Sequence, residues 1–270
     1  MFRIGFMGSG KMAAALLSGI LEGKVAGKDE VICSDVVPER RTEIQDQFGV
    51  QTTDSNQEVL KHSELVILAF EPQNFPEAVE GLSSVVRPEQ IIVSILAGVR
   101  IESIRGHLPG RVVRVMPNTA CQVGEMAAGF AVGPGVTDSD RQRVRSILEC
   151  AGTAVEVEED MLDAVTALSG SGPAFVAYLI DGFIQAGASA GLTESAARDL
   201  SLKTFAGTAR LLSDKQLTPP ELIAMVSSPG GTTLAGREIL ESSDVQAVIK
   251  QTVLRAKERS KELGKNRRAK

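Results

Sequence analysis

The chain holds 270 residues, 43% hydrophobic and 23% charged, with no Trp and a net charge of −5. That length supports one large or two medium domains, and the acidic balance argues against a broad basic surface, so nucleic acid is not an expected partner. Three scattered cysteines (Cys33, Cys121, Cys150) and only two histidines (His62, His107) argue against a disulfide framework and against a metal site, and fit a reducing cytoplasm.

The first element is an apolar run, Phe2 to Met7, and because it reads as a strand no signal peptide is expected. It meets Gly8-Ser9-Gly10-Lys11-Met12-Ala13, and an amphipathic stretch follows with Leu16, Leu17, Ile20 and Leu21 on one face. Strand, glycine turn and helix in that order give G-x-G-x-x-A its meaning as a dinucleotide fingerprint. Gly8 permits the tight turn, Gly10 lets the backbone approach a pyrophosphate, and Ala13 allows close helix–strand packing. The helix N-terminus then offers free N–H groups to the phosphates. The alternative is a plain glycine-rich turn.

Further apolar runs occur at Val31 to Ser34, Leu65 to Ala69, Ile91 to Ile95, Val112 to Met116 and Gly152 to Val157, with helix-like segments between them. This alternation predicts a mostly parallel sheet covered on both faces. Ligands of such sheets lie beyond the carboxyl ends of the strands. That rule singles out Asp35, Glu71-Pro72-Gln73, Ala97-Gly98 and Pro117-Asn118-Thr119 as the rim of a cofactor cleft, although each could equally be a turn or a cap. Asp35 has two readings: it accepts both ribose hydroxyls of NADH and repels a 2′-phosphate, or it caps the helix beginning near Pro38. Arg40 and Arg41, just downstream, either reach a phosphate or lie in solvent.

After Val157 an acidic patch, Glu158-Glu159-Asp160, leads into helical sequence that continues to the end. The segment Ser169-Gly170-Ser171-Gly172-Pro173 reads as a flexible hinge ending in a helix-starting proline. The helix expected from Ala174 to Ala190 is apolar nearly all round, with Asp181 its only charge, so it must be buried on every side. Small residues at Gly182, Ala186 and Ala190, with Gly187 and Gly191 beside them, suit close approach of a second subunit. A transmembrane span is the disfavoured rival, given Asp181, Gln185 and the glycines. Thr193 caps a helix through Leu212, Thr218-Pro219-Pro220-Glu221 forms a capping box, and Ser243 caps the last helix. The basic end, Lys265 to Lys270, reads as a solvated, frayed tail. Ser227-Ser228-Pro229-Gly230-Gly231-Thr232-Thr233 stands at a helix start, either as an anion cradle or as a merely well-capped helix.

Taken together, these segments resemble the pyrroline-5-carboxylate reductase family over essentially the whole length. The most specific pieces are Asp163 to Pro173 (DAVTALSGSGP) and Ser228 to Thr233 (SPGGTT). The Gly8 turn, Asn56-Gln57-Glu58, Ala69-Phe70-Glu71-Pro72, Ala97-Gly98-Val99 and Met116-Pro117-Asn118-Thr119 add to them. The resemblance implies an α/β Rossmann-like N-terminal domain over residues 1–160, then an all-α C-terminal dimerisation and substrate domain over residues 161–270. It implies an interlocked homodimer, which some members build into larger rings, and a soluble cytoplasmic enzyme rather than a membrane protein. By the same resemblance, NADPH or NADH lies along Gly8, Ser9, Gly10, Lys11 and Met12, then Ser34, Asn56, Ala69, Phe70, Glu71, Pro72 and Ala97, with Asp35 bearing on the choice between them. The small-molecule substrate's carboxylate sits on Ser228, Gly230, Gly231, Thr232 and Thr233, with Thr233 facing the ring nitrogen as the catalytic contact. Two positions depart from the family's habit: Glu71 stands where Lys is usual, and Met225 where Asn is common.

The inventory of side chains agrees with that chemistry. Reducing a carbonyl calls for an acid donor such as His or Lys, and no histidine lies after residue 107. Reducing a protonated cyclic imine to proline lowers the charge instead, and needs an anion site, a partner for the nitrogen and good alignment. A β-hydroxyacid dehydrogenase fits less well, because neither Lys203 nor Lys215 sits in a glycine-rich helix context. A nucleotide sensor without catalysis fits less well because the substrate loop is complete.

Overall fold

The computed structural model describes residues 1–268, with side chains through Gly264. The chain divides into two compact units, residues 1–171 together with the stretch from Leu254 onward, and Gly172–Val253. The sequence-based border between residues 160 and 161 falls inside the first unit.

The first unit runs β1 (Phe2–Met7), α1 (Lys11–Glu22), β2 (Val31–Ser34), α2 (Pro38–Phe48), β3 (Gln51–Thr53), α3 (Asn56–His62), β4 (Ser63–Leu68), α4 (Phe75–Ala78) and β5 (Ile91–Ser94). It continues through α5 (Ile101–His107), β6 (Arg111–Met116), β7 (Met126–Val132), α6 (Asp138–Glu149), β8 (Gly152–Glu156) and α7 (Leu162–Val165). The strands form one sheet in the order β3-β2-β1-β4-β5-β6-β7-β8, parallel throughout except between β6 and β7.

Alternation along each strand sorts side chains to two faces. Ile4, Phe6, Leu65, Ile67, Ile91 and Val93 pack under α1, α2 and α6, where they meet Leu16, Leu17, Ile20, Ile44, Val144 and Ile147. Met7, Val66, Leu68 and Ile92 pack on the other face against Val59, Leu60, Phe75, Ile101 and Ile104. Each such fully buried side chain contributes about 1.5–3 kcal/mol of transfer free energy, and both faces are covered as expected for a parallel sheet.

Two strands are not foreseen by the hydrophobic pattern. β3 is a three-residue polar edge, Gln51-Thr52-Thr53, held by its pairing with β2. β7 reads MAAGFAV, with Ala or Gly, which disfavour strands, at four of its seven positions, and is fixed by neighbours on both sides. A side chain at Gly129 would place its Cβ 2.6 Å from Val165 Cγ2, so close packing of α7 on this strand dictates the glycine.

The segment expected as a hinge is helical and spans the division between the two units. Residues Thr166–Gly170 form a π-helical turn that leads from α7 into α8 (Gly172–Ser189). The cause is local. Pro173 has no N–H to give the Ser169 carbonyl, four residues back. Asn118 Nδ2 donates to that carbonyl instead, at 3.2 Å, while the Ser171 N–H reaches back to Thr166 O at 2.8 Å. Asn118, expected at the rim or in a turn, is a buried clamp whose Oδ1 also accepts the Ala127 N–H at 3.1 Å.

The second unit contains α8, α9 (Glu194–Asp214), α10 (Pro219–Val226) and α11 (Thr232–Glu241), then the first turns of α12 (Val245–Arg268). Its caps follow the sequence: Thr193 Oγ1 accepts the Ala196 N–H, Thr218 and Glu221 close a reciprocal capping box, and Ser243 Oγ accepts the Val245 N–H. α8 packs on α9, where a Cβ at Gly187 would sit 3.0 Å from Ala197 Cβ and Phe183 meets Phe205 edge-on. Within residues 172–253 only Ala197, Ser201 and Leu222 are buried. The basic end continues α12 as helix through Arg268, while Ala269 and Lys270 of the expected tail lie outside the described residues.

Candidate functional site

Two loops stand out because the helices after them begin without a side-chain cap and without an acidic residue in the first turn. These are the Gly8–Met12 loop before α1 and the Ser228–Thr233 loop before α11. By contrast α3, α6, α9 and α10 start on Ser or Thr caps. Uncapped first-turn N–H groups and the positive end of the helix dipole favour an anion at both places.

The first loop is held from below. Gly8 has φ +98°, and its N–H donates to Ser34 O at 2.8 Å. Ser9 is buried, and its Oγ donates to the same carbonyl at 3.2 Å. Gly10 begins α1 in an extended conformation, with open space where its Cβ would be. Lys11 is exposed and Met12 half-buried, so both lie at the mouth of the turn. A smooth, unobstructed backbone with an uncapped helix start fits a dinucleotide pyrophosphate.

Asp35 is not displayed toward solvent. Its Oδ2 accepts the Ser9 N–H at 2.8 Å, its Oδ1 accepts the Val37 N–H at 2.9 Å, and its side chain is 5% exposed. Arg40 approaches Oδ2 at 3.8 Å and is itself 54% exposed, while Arg41 Nη1 donates to the Asp35 carbonyl at 2.6 Å. The carboxylate therefore ties the glycine turn to the end of β2. Beside it, Ser34 Oγ donates to Asn56 Oδ1 at 2.6 Å, and Asn56 Nδ2 donates to Ala78 O at 3.0 Å. That pair links the β2 end to the start of α3.

β1 and β4 are adjacent at the point where strand order reverses, the usual ligand crevice of such sheets. At the β4 end, the Ala69 N–H donates to Met7 O at 2.8 Å, Phe70 and Pro72 are half-buried, and Glu71 is exposed. At the β5 end, Leu96 to Val99 form a tight turn with Gly98 at φ +77° and Ala97 at its tip. Gly8, Ser9, Gly10, Lys11, Met12, Ser34, Asp35, Asn56, Ala69, Phe70, Glu71, Pro72 and Ala97 thus all belong to the carboxyl-end rim of the first unit.

In the second unit, Gly230 has φ +68° and the Gly231 N–H donates to Ser228 O at 3.0 Å, which closes the turn. Ser228, Gly230, Thr232 and Thr233 are exposed, with Gly231 half-exposed. The two threonine hydroxyls and the first N–H groups of α11 share one end of the helix. Arg237, not anticipated from the pattern, lies one turn on: its Nη1 reaches Ser227 Oγ at 3.4 Å and its Nε pairs with Glu241 at 2.9 Å. It adds a cation behind the cradle.

Burial pushes the Cys33 thiol up to about 12 and the Cys121 thiol up to about 11, so neither forms a thiolate near neutral pH. Among the described residues, no group of three or more His, Cys, Asp or Glu is placed to hold a metal ion.

Residues 3–98 match the family model for NADP oxidoreductase, coenzyme F420-dependent, and residues 159–263 match the one for pyrroline-5-carboxylate reductase dimerisation. A pyrroline-5-carboxylate reductase from Methanosarcina acetivorans is 37% identical over 265 residues, covering 97% of this chain and 98% of that one. The solved pyrroline-5-carboxylate reductase of Coxiella burnetii aligns with a TM-score of 0.93 at 28% identity, covering 97% of this chain and 98% of that one. A Plasmodium falciparum pyrroline carboxylate reductase structure with NADP bound aligns with a TM-score of 0.83, again at 28% identity and with 97% and 98% coverage. With full-length similarity at this level and the Rossmann-like sheet and helical region both in place, the chain belongs to the pyrroline-5-carboxylate reductase family.

Proposed function

We propose that this chain reduces the cyclic imine 1-pyrroline-5-carboxylate to L-proline with NADPH or NADH, the last step of proline biosynthesis. The observation that carries the reading is similarity over 97% of the chain to a reductase of that name, with both uncapped helix-start loops intact. Residues 1–160 serve as the dinucleotide-binding domain and residues 161–270 as the helical dimerisation and substrate domain. The protein works in the cytoplasm as an interlocked homodimer, a unit that can repeat in a ring of dimers.

The reduced nicotinamide supplies a hydride to the imine carbon. The chain's residues arrange the rest. The Gly8–Met12 turn and the start of α1 hold the pyrophosphate, with Ser34, Asp35 and Asn56 on the adenosine side. Ala69 to Pro72 and Ala97, beyond β4 and β5, border the nicotinamide side. Gly230, Gly231 and Thr232 receive the substrate carboxylate on backbone N–H and hydroxyl groups, with Ser228 closing the turn. The Thr233 hydroxyl accepts the N–H of the protonated imine and stays in contact as the nitrogen becomes an amine. The imine nitrogen is already protonated when hydride reaches the carbon, so no side chain has to deliver a proton, in keeping with the absence of histidine beyond residue 107.

The deciding experiment is loss of nicotinamide absorbance when purified protein meets pyrroline-5-carboxylate; activity on 2- or 3-hydroxyacids alone would overturn the reading. Thr233→Ala is expected to lower kcat/KM for the imine about fivefold to a hundredfold, the scale of about 1–3 kcal/mol for one lost hydrogen bond, while nicotinamide binding holds. Unchanged turnover would place the nitrogen contact elsewhere.

The geometry of Asp35 sharpens the cofactor question. If its carboxylate mainly holds the Ser9 N–H, Asp35→Asn weakens NADPH and NADH together by about tenfold, since a charge-assisted bond is worth about 1.5–3 kcal/mol. If its charge instead repels a 2′-phosphate, the same substitution improves NADPH relative to NADH by about tenfold. The two values of kcat/KM in each protein separate these, and the observed hydrogen bonds favour the common fall.

A further inference from the structure

The acidic patch that precedes the helical region has a partner set that nothing in the reaction described above uses. Glu159 Oε1 accepts the Ile101 N–H, the first residue of α5, at 2.8 Å. The same oxygen receives Arg114 Nη1 at 3.3 Å, from a side chain on β6 that is 8% exposed. Glu159 Oε2 lies 3.2 Å from Arg100 Nη2, which also donates to Asp160 Oδ1 at 2.7 Å. Burial lowers the Arg114 pKa, and the Glu159 charge opposes that shift. One carboxylate thus joins β6, the start of α5 and the residue before it.

That joint lies where the Leu96–Val99 turn exits. Leu96 and Val99 are anchored in the core, and Gly98 at φ +77° sets the turn's shape. The chain after Val99 stays in that core through Ile101 and adds polar anchors. A cavity of about 300 Å³ borders Gly98 there, lined by Arg100, Arg114, Asp160, Asp163, Lys261 and Gly264. The ionic joint ties down the polar groups at the turn's exit, the Ile101 N–H and the Arg100 and Arg114 guanidiniums, while the Ile101 side chain anchors the same segment in the core.

We propose that Glu159 is a positioning residue for the Ala97 turn: through Ile101, Arg114 and Arg100 it holds the turn at the height that aligns the nicotinamide for transfer. The inference rests on the function proposed above, specifically on Ala97 bordering the nicotinamide side. Glu159 touches neither cofactor nor substrate. Its effect appears in alignment, where a displacement of about 1 Å can cost up to about a hundredfold, and not in affinity, which the glycine turn and the β2 end carry.

The test compares wild type, Glu159→Gln and Glu159→Asp, with Asp160→Asn as a control at a side chain that is 78% exposed. The change in reduced-nicotinamide fluorescence on binding gives the cofactor Kd directly. Glu159→Gln is expected to lower kcat about tenfold, leave Kd for NADPH within about twofold, and enlarge the isotope effect with deuterated NADPH as transfer becomes rate-limiting. In protein without cofactor, hydrogen exchange across residues 96–104 is expected to speed up about tenfold, because the Ile101 N–H has lost its charged acceptor. Asp160→Asn is expected to stay near wild type in all of these. Should the Gln variant fail to fold, the Asp variant, which keeps the charge but shortens the reach, is read the same way with a smaller drop.

Unchanged kcat, or unchanged exchange at residues 96–104, overturns the proposal. So does a fall in activity that follows only the loss of folded protein with a constant isotope effect. A wild type that does not reduce the imine overturns the proposed function and this inference with it, whereas an active wild type with an indifferent Glu159→Gln overturns the inference alone.

Discussion

Gly8→Ala is expected to lower kcat/KM for both nicotinamides at least about a hundredfold and to destabilise the protein before any cofactor is added. Two costs combine. At φ +98° an L-residue pays about 1–2 kcal/mol for its Cβ alone. That Cβ would also lie 2.6 Å from Ala69 O and 2.8 Å from Phe70 N, both main-chain atoms that no rotamer change can move. Relief requires the β1 and β4 ends to part, which displaces Ser9 to Met12 and the start of α1. Gly10→Ala makes the diagnostic companion. Gly10 has φ −77° and open space at its Cβ, so the apo protein's Tm should barely change, while the methyl group occupies the room a pyrophosphate needs. Tm without cofactor and Kd for NADPH, measured on both variants, separate the roles. A Gly10→Ala protein that binds NADPH like wild type would move the pyrophosphate off this turn, and a stable, active Gly8→Ala would contradict the turn geometry itself.

Much of the first unit was legible because buried parallel strands are apolar and their punctuation is glycine. Five of the six expected strand starts fall within one residue of those observed; the exception is β4, which begins two residues early at Ser63. The strands that escaped, β3 and β7, are fixed by neighbours and not by their own composition, so no local window contains the cause. The helical form of Ser169 to Pro173 was hidden for the same kind of reason. Its glycines and proline do weaken an α-helix, but the carbonyl that Pro173 leaves free is claimed by Asn118, fifty-one positions away. Tertiary hydrogen bonding turned a break into a π-helical turn.

The site divides along a similar line. Gly8, Gly10 and the Gly230–Thr233 loop announce themselves because their chemistry is backbone chemistry, and only a few residue types permit it. Asp35 was visible as a residue but its orientation was not. Both oxygens are taken by N–H groups of Ser9 and Val37, one of them twenty-six positions away, and nothing in the sequence fixes which way a carboxylate turns. Arg237 and the Glu159 joint were hidden because isolated charges on helices and linkers are ordinarily solvated, and only packing distinguishes the few that are not. A patch of three acids followed by a helix resembles any helix start until Arg114 is found behind it.

The apolar helix α8 poses a physical problem that a second subunit resolves. It has no buried residue, and Tyr178 is 80% and Phe183 55% exposed. The helical run Glu159–Ser189 is long and apolar enough to cross a membrane by length and composition. Yet Asp181 and Gln185, bonded to each other at 2.6 Å, sit in the middle of α8, and the chain's family carries its dimerisation region here. A unit with only Ala197, Ser201 and Leu222 buried between residues 172 and 253 lacks the core to stand alone, so homo-oligomerisation supplies it. Gly182, on the stripe of small residues along α8, is the position expected to make the contact. A Cβ there meets nothing within 4 Å in the single chain, so Gly182→Leu does no harm to the protomer and gains about 1 kcal/mol of helix propensity. Against a partner helix packed close, the same leucine costs about 1–3 kcal/mol in each copy, enough to weaken the dimer about thirtyfold or more. The variant is therefore expected to keep its far-UV circular dichroism, shift from dimer to monomer in light scattering at micromolar concentration, and lose imine reduction as the substrate loop's unit loses its burial. Dilution of wild type to the same monomer fraction should give the same loss of activity. A Gly182→Leu protein that remains dimeric and active would show that this face of α8 does not make the contact.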